Sequence, residues 1–140
     1  MVQTEVLATD PSIPLEIPPA IGGHSGIPSS VEAAMAGSPA EYLVAWSDNY
    51  SRTFGLAKGS KAIVLPWGDV RSLSLDVMRP AKGRGWVALE AIVGKSGANT
   101  TLLQSLTYSA EALHALQSKL PQIEALFNMK VVVRDHGSDY

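Results

Sequence analysis

The stretch 62–78 constrains the fold most, because two apolar runs flank a turn through which no strand can continue. In the second run, Leu73 and Leu75 alternate with serines, which is the pattern of a strand with one buried face. The turn, Pro66-Trp67-Gly68-Asp69, holds a proline that cannot donate a ladder hydrogen bond and a glycine that tolerates positive φ. The stretch therefore predicts two consecutive strands, and Trp67 at their corner is predicted to plug one end of the core.

Strand-like segments follow one another at short spacing through the middle of the chain. Tight polar turns such as Ser47-Asp48-Asn49 and Lys58-Gly59-Ser60-Lys61 separate them. The six segments are 42–46, 50–57, 62–65, 70–78, 86–94 and 99–108. Such a series is typical of an antiparallel meander, sandwich or barrel rather than of a parallel sheet.

The hydrophobic period changes after the sixth strand. Apolar residues then recur at spacings of three and four, which predicts an amphipathic helix over 109–127. Ser109 is placed to cap this helix, and Glu111 lies in its positive first turn. Pro121 is predicted either to kink the helix or to open a second one.

A length of 140 residues suits one domain with a core that needs no disulfide or metal. We predict that domain over 41–134, ending in a late strand or extended segment, with 135–140 as a frayed tail. The formal charge of -2 provides no basic field for nucleic acid or an anionic membrane, so neither is predicted as a partner. The chain has no cysteine, and no signal sequence or transmembrane run is visible, which predicts a cytoplasmic protein.

Residues 1–40 differ in composition from the rest, because they hold six of the nine prolines. We predict that they form an extended arm with a short helix at 30–36. The arm carries more branched aliphatic residues than a solvated tail usually does, and these are its candidate contacts: Ile13, Leu15, Ile17 and Ile21. The arm is therefore expected to lie along a surface, which could belong to its own domain, a neighbouring subunit or another protein.

Four cations and a tryptophan form the candidate interaction patch of this chain: Arg71, Arg79, Lys82, Arg84 and Trp86. The set could bind an anion or an acidic partner, with cation–π support from the indole ring. The alternative is a long, solvated loop whose charges only keep it soluble. Asp76 and Glu90, on adjacent predicted strands, could neutralise much of the positive charge.

The other short motifs match known catalytic or ligand-binding patterns only in part. Gly94-Lys95-Ser96 ends like a phosphate-binding loop, but Leu89 stands where that pattern needs a glycine. Gly23-His24-Ser25-Gly26 lacks the second glycine of a nucleophile elbow. The histidines lack the short spacing of metal ligands: His24, His114 and His136. No catalytic residue, cofactor or metal site is therefore predicted.

The stretch Ile63–Leu73, a Pro-Trp turn between two apolar strands, resembles the corresponding part of bacterial pleckstrin-homology-like (PH-like) domains. The resemblance covers about residues 42–127. It implies an α+β, mainly β fold: a strongly bent antiparallel sheet or partly open barrel of about six to seven strands, closed by the C-terminal amphipathic helix. It also implies a binding module rather than an enzyme. Members that bind phosphoinositides carry several cations around the first hairpin, where this chain has only Arg52. A β-sandwich with an appended helix is the alternative fold.

These observations favour a non-enzymatic protein-interaction module whose arm docks on a partner or on a second copy. The alternative is a structural subunit of a larger assembly, of virion or shell type, whose arm laces neighbouring subunits together. An enzyme is the least favoured class, because no acid pair, histidine arrangement or glycine loop has the spacing of a known catalytic motif.

Overall fold

The computed structural model describes residues 2–10, 12–13, 15–18, 26–95 and 97–138. Within these residues the chain is mainly β, with eight strands, three α-helices and a short 3-10 turn at Trp67–Asp69. In chain order the elements are β1 (Val2–Leu7), α1 (Ser29–Ala36), β2 (Leu43–Asp48), β3 (Thr53–Lys58), β4 (Lys61–Pro66), β5 (Val70–Arg79), β6 (Trp86–Val93), β7 (Ala98–Ser105), α2 (Ala110–Gln117), α3 (Leu120–Phe127) and β8 (Val131–Ser138).

The strands form two four-stranded sheets. Sheet A has the order β1-β2-β3-β4 and is antiparallel throughout, while sheet B has the order β7-β6-β5-β8. Within sheet B, β8 runs parallel to β5, because α2 and α3 supply the crossover that a parallel pairing requires. The prediction of a mainly β fold with a C-terminal helical segment is confirmed. The six predicted strands correspond to β2–β7.

The main core lies between the two sheets and the C-terminal helices. Sheet A contributes Leu43, Leu56 and Ile63, and sheet B contributes Leu73, Leu75 and Leu89. Trp67 packs against this core, and its ring centroid lies 5.6 Å from that of Phe54. The prediction that Trp67 contributes to the core is therefore confirmed.

The predicted helix over 109–127 is divided into two. Ser109 Oγ accepts a hydrogen bond from the Ala112 amide at 3.0 Å and so caps α2, while Pro121 lies in the first turn of α3, as predicted for a helix start. Helix α2 contacts β6, and α3 contacts β1 and β2, so the pair spans both sheets. Among the described residues, no helix combines the length and apolar character needed to cross a membrane.

A second, smaller core covers the outer face of sheet A. It is formed by Val44, Trp46, Ala57 and Ala62 of the sheet with Val31 of α1, all buried. Helix α1 begins at Ser29 and ends at Ala36, close to the predicted 30–36. This helix therefore covers the sheet of its own chain.

The segment predicted as an extended arm, residues 1–40, packs in several places on its own domain, which is one of the three surfaces that the sequence left open. Residues Val2–Leu7 form β1, which pairs with β2. Leu15 and Ile17 are each only 1% exposed and belong to the main core, and Glu16 and Gln104 exchange two backbone hydrogen bonds of 2.8 Å. Leu15 and Ile17 are buried because the pairing of Glu16 with Gln104 of β7 holds this segment against the main core. Ile13 is half-buried, whereas Ile21 and His24 lie outside the described residues.

The predicted frayed tail also differs from the structure. Strand β8 extends to Ser138, and its residues pair with β5 from Leu73 to Arg79. Parallel backbone pairing fixes this segment, and a salt bridge between Arg79 and Asp135 supports it. Residues 139–140 lie outside the described residues.

Candidate interaction site

The predicted basic patch is divided by the length of β5. Arg71 lies near the start of this strand and Arg79 at its end, which places them about 26 Å apart at the usual rise of a strand. Lys82 and Arg84 are exposed in the loop that leads to Trp86 at the start of β6. The structure therefore brings four of the five predicted residues to one end of sheet B and leaves Arg71 at the other.

Two residues of this patch contact β8. The Arg79 guanidinium lies 2.5 Å from the Asp135 carboxylate, and both side chains are about half exposed. The ring of Trp86 lies 5.6 Å from that of His136, at a tilt of 44°. Asp135 and His136, which lie in the segment predicted as a frayed tail, are thus the neighbours of these residues.

A cluster of ionisable side chains lies on the outer face of sheet B, beside the patch. We call it the polar cluster: Asp76 of β5, Glu90 of β6, and Arg134 and His136 of β8. It occupies this face because side chains alternate along a strand, and Leu73 and Leu75 of β5 face the main core. The sequence placed the two acids on adjacent strands, but nothing in it indicated that β8 would lie next to them.

The centre of the polar cluster is a two-point ion pair. Arg134 donates from Nε to one oxygen of Asp76 at 2.8 Å and from a terminal nitrogen to the other at 2.6 Å. The Asp76 side chain is almost fully buried, and His136 Nε2 lies 3.5 Å from it. Such a geometry is the strongest form of a charge-assisted hydrogen bond. It fastens β8 to β5.

Burial, hydrogen bonds and neighbouring charges shift the pKa values of Asp76 and Glu90 in opposite directions. Burial tends to raise the pKa of Asp76, but the hydrogen bonds headed by that from Arg134 outweigh burial and leave the pKa below its ordinary value. Burial raises the pKa of Glu90, and its hydrogen bond to Asp76 and the charge of Asp76 raise it further. Glu90 therefore retains its proton to higher pH than a free carboxyl group does, and while protonated it donates a hydrogen bond to Asp76. The acids stabilise each other and β8 rather than the basic loop.

Strand β8 is also the edge of sheet B. One side of it pairs with β5, and no described strand pairs with the other side. Val132 and Val133, which point to opposite faces, are 58% and 57% exposed. The first three residues of β8 are valines, and an edge strand that exposes apolar residues is a template for pairing with another chain.

The sequence comparison adds a family to this description. Residues 27–137 match the family described as PM0294 C-terminal domain. The chain belongs to the PM0294 C-terminal domain family. In this family member, the matched range holds the polar cluster and nearly all of β8, while β1 and the buried Leu15 and Ile17 precede it. No curated protein and no solved structure matches the chain significantly.

Proposed function

We propose that the chain is a non-enzymatic protein-interaction module that pairs with a second copy of itself through β8. The observation that carries this proposal is the exposed edge of sheet B, where Val132 and Val133 are both more than half exposed. Burying such residues against another strand removes apolar surface from water and satisfies the backbone groups of the edge.

The pattern of β8 suits antiparallel pairing with its own copy. Directly opposite residues share a face, so a two-fold axis through Val133 places this residue opposite its mate. Val132 then lies opposite Arg134 of the second copy, whose aliphatic stem can cover it. Val131 lies opposite Asp135, so no like charges face each other within this central part. The two B sheets would form one continuous sheet.

The polar cluster supports the same proposal. It fixes β8 before any partner arrives, because Arg134 binds both carboxylate oxygens of Asp76. A strand that is already ordered loses less conformational entropy on docking. The same contacts support the non-enzymatic assignment, since the Asp76 oxygens are occupied by the guanidinium rather than directed at a substrate.

For the fold, we propose a PH-like arrangement in which the two sheets form a partly open barrel and the C-terminal helices close one end. The contacts of α2 with sheet B and of α3 with sheet A support this assignment. A β-sandwich with appended helices remains the alternative. We also propose that the chain binds neither nucleic acid nor membranes, which the formal charge of -2 supports, and that it is cytoplasmic, which the absence of cysteine supports.

The second candidate function is a structural subunit of a larger assembly. It is favoured by β1, which is the edge of sheet A and comes from the segment predicted as a lacing arm. Pairing of β8 with β1 of the next copy would be heterologous, and such contacts form rings or filaments rather than closed dimers.

Light scattering after size exclusion tests the proposal. The full chain is expected to show twice the monomer mass of 14.8 kDa. Val132→Lys places a charge on the edge and should return the protein to the monomer mass. Leu106→Lys is the matched control, because Leu106 is 61% exposed but lies outside β8, and this variant should remain dimeric.

Two results would contradict pairing through β8: a wild-type monomer at high micromolar concentration, or a Val132→Lys variant that stays dimeric. Masses well above a dimer that fall in a Val6→Lys variant would favour the structural subunit instead, because Val6 is an exposed residue of β1.

A further inference from the structure

A cleft of about 430 Å³ lies between the end of sheet A and the C-terminal part of helix α3, and none of its described lining residues belongs to β8. Its volume is within the usual range of small-molecule sites. The described residues that line it are Gln3, Ser47, Asn49, Phe54, Trp67, Ala125, Leu126, Phe127, Asn128 and Met129.

The floor of the cleft is an aromatic stack. The rings of Phe54 and Phe127 lie 4.5 Å apart at 13°, and that of Trp67 lies 5.6 Å from Phe54 at 29°. Because Phe54 stacks with both neighbours, much of the ring-face area is used within the stack. Phe54 and Phe127 are only 5% and 1% exposed, so the half-buried Trp67 offers a ligand most of the accessible aromatic surface, against which another ring can pack.

The rim of the cleft is polar but uncharged. Gln3, Asn49 and Asn128 are exposed and carry amide groups, each of which both donates and accepts hydrogen bonds. None of the described lining residues is charged. A charged ligand would therefore lose hydration without meeting an opposite charge, whereas a neutral amide would meet its complement.

We propose that this cleft binds a small, uncharged aromatic molecule that carries a carboxamide-like edge. The ring packs on the aromatic floor, and the amide edge faces the amide rim. The site is independent of the pairing through β8, so either proposal can fail without the other.

The test is a titration of the ¹⁵N-labelled full chain with benzamide, followed by two-dimensional amide NMR. The chain has three tryptophans, and only Trp67 lines the cleft. Its indole signal and the side-chain amide signals of Gln3 and Asn128 are expected to shift and to saturate. The indole signals of Trp46 and Trp86 serve as internal controls. Benzoate and benzyltrimethylammonium, of similar shape but charged, should bind about tenfold more weakly.

A matched pair of variants locates the binding. Ala125→Phe adds a ring at an exposed lining position of α3 and should abolish the saturable shifts. Ala110→Phe makes the same change at an exposed helix position outside the cleft and should leave them intact. The proposal is overturned if the Trp67 signal stays unchanged up to the solubility limit, if charged probes bind equally, or if Ala125→Phe still binds. Cleft signals that shift with protein concentration alone would also overturn it, because a second copy would then occupy the site.

Discussion

A single glycine determines how Trp46 packs beneath α1. Gly55 of β3 lies directly opposite Trp46 of β2, and the indole ring is fully buried. A Cβ atom added at Gly55 would lie 2.0 Å from Cζ2 of that ring, far inside van der Waals contact. Glycine within a strand usually marks such a close approach. The second core therefore depends on the absence of one side chain.

Replacing Gly55 by alanine should destabilise the protein strongly. Either the ring or the strand must move, and overpacking of a closed core typically costs about 1–3 kcal/mol or more. Urea unfolding followed by circular dichroism should show a lower midpoint with an unchanged slope.

Gly68→Ala is the matched control for this change. A Cβ at Gly68 meets no atom within 4 Å, so the free energy of unfolding of this variant is expected to stay within about 0.5 kcal/mol of the wild-type value. Equal stability of the two variants would contradict the packing described for Trp46.

Sheet B depends on a polar contact that joins three strands. Glu90 of β6, while protonated, donates a hydrogen bond to Asp76 of β5, which in turn binds Arg134 of β8. A group whose pKa is raised on folding stabilises fully below its unfolded pKa and loses this contribution as pH rises through the folded pKa. For Glu90 the ordinary value is 4.5, so its contribution declines above that pH.

Glu90→Gln should therefore be more stable than the wild type at pH 8, by on the order of 1 kcal/mol, because a neutral amide needs no proton to remain buried beside Asp76. The difference should shrink towards zero as the pH falls to about 4, where Glu90 is protonated in both states. The lowered pKa of Asp76 makes its contribution fall at acid pH, but both proteins share that loss. Urea unfolding across this pH range measures the trend.

The same exchange at an exposed position, Glu5→Gln on β1, provides the control. A Glu90→Gln variant that is less stable than the wild type at pH 8, or a difference that does not depend on pH, would contradict the raised pKa of Glu90.

The whole molecule includes its N-terminal segment as part of the core. Leu15 and Ile17 lie in the main core, Val31 in the second, and Lys58 Nζ donates to the Leu15 carbonyl. Burial lowers the pKa of Lys58, as expected for an amine drawn beneath a covering segment. The segment before residue 40 therefore completes both cores.

A chain that begins at Ala40 is expected to lose cooperative unfolding. It lacks the buried side chains of Leu15, Ile17 and Val31, each worth about 1.5–3 kcal/mol, which together approach the stability of a whole domain. Thermal unfolding by circular dichroism measures this loss. In the full chain, Leu15→Ala should cost about 2–5 kcal/mol, and Ile13→Ala, at a half-buried position, clearly less. A truncated chain with the midpoint of the full chain would contradict this packing.

Local sequence signals determined most of the elements, because the physics behind them acts over a few residues. Alternation in 70–78 specified β5, and Ser109 specified the start of α2. Pro121 predicted either a kink or a second helix, and the structure has the second helix, α3. These features depend on side-chain period, capping and the missing amide of proline, all of which can be read without knowing the neighbours in space.

Only the tertiary structure decided which segments meet. The burial of Leu15 and Ile17 depends on the backbone pairing of Glu16 with Gln104 of β7. The contact of Arg134 with Asp76 depends on the parallel pairing of β8 with β5. Arg134 and Asp76 are 58 positions apart in the sequence. Leu15 and Ile17 belong to a proline-rich segment whose composition suggested an arm separate from the domain. Long-range burial and charge pairing leave no local period, so the polar cluster, the β8 edge and the aromatic cleft emerged only when the chain was folded.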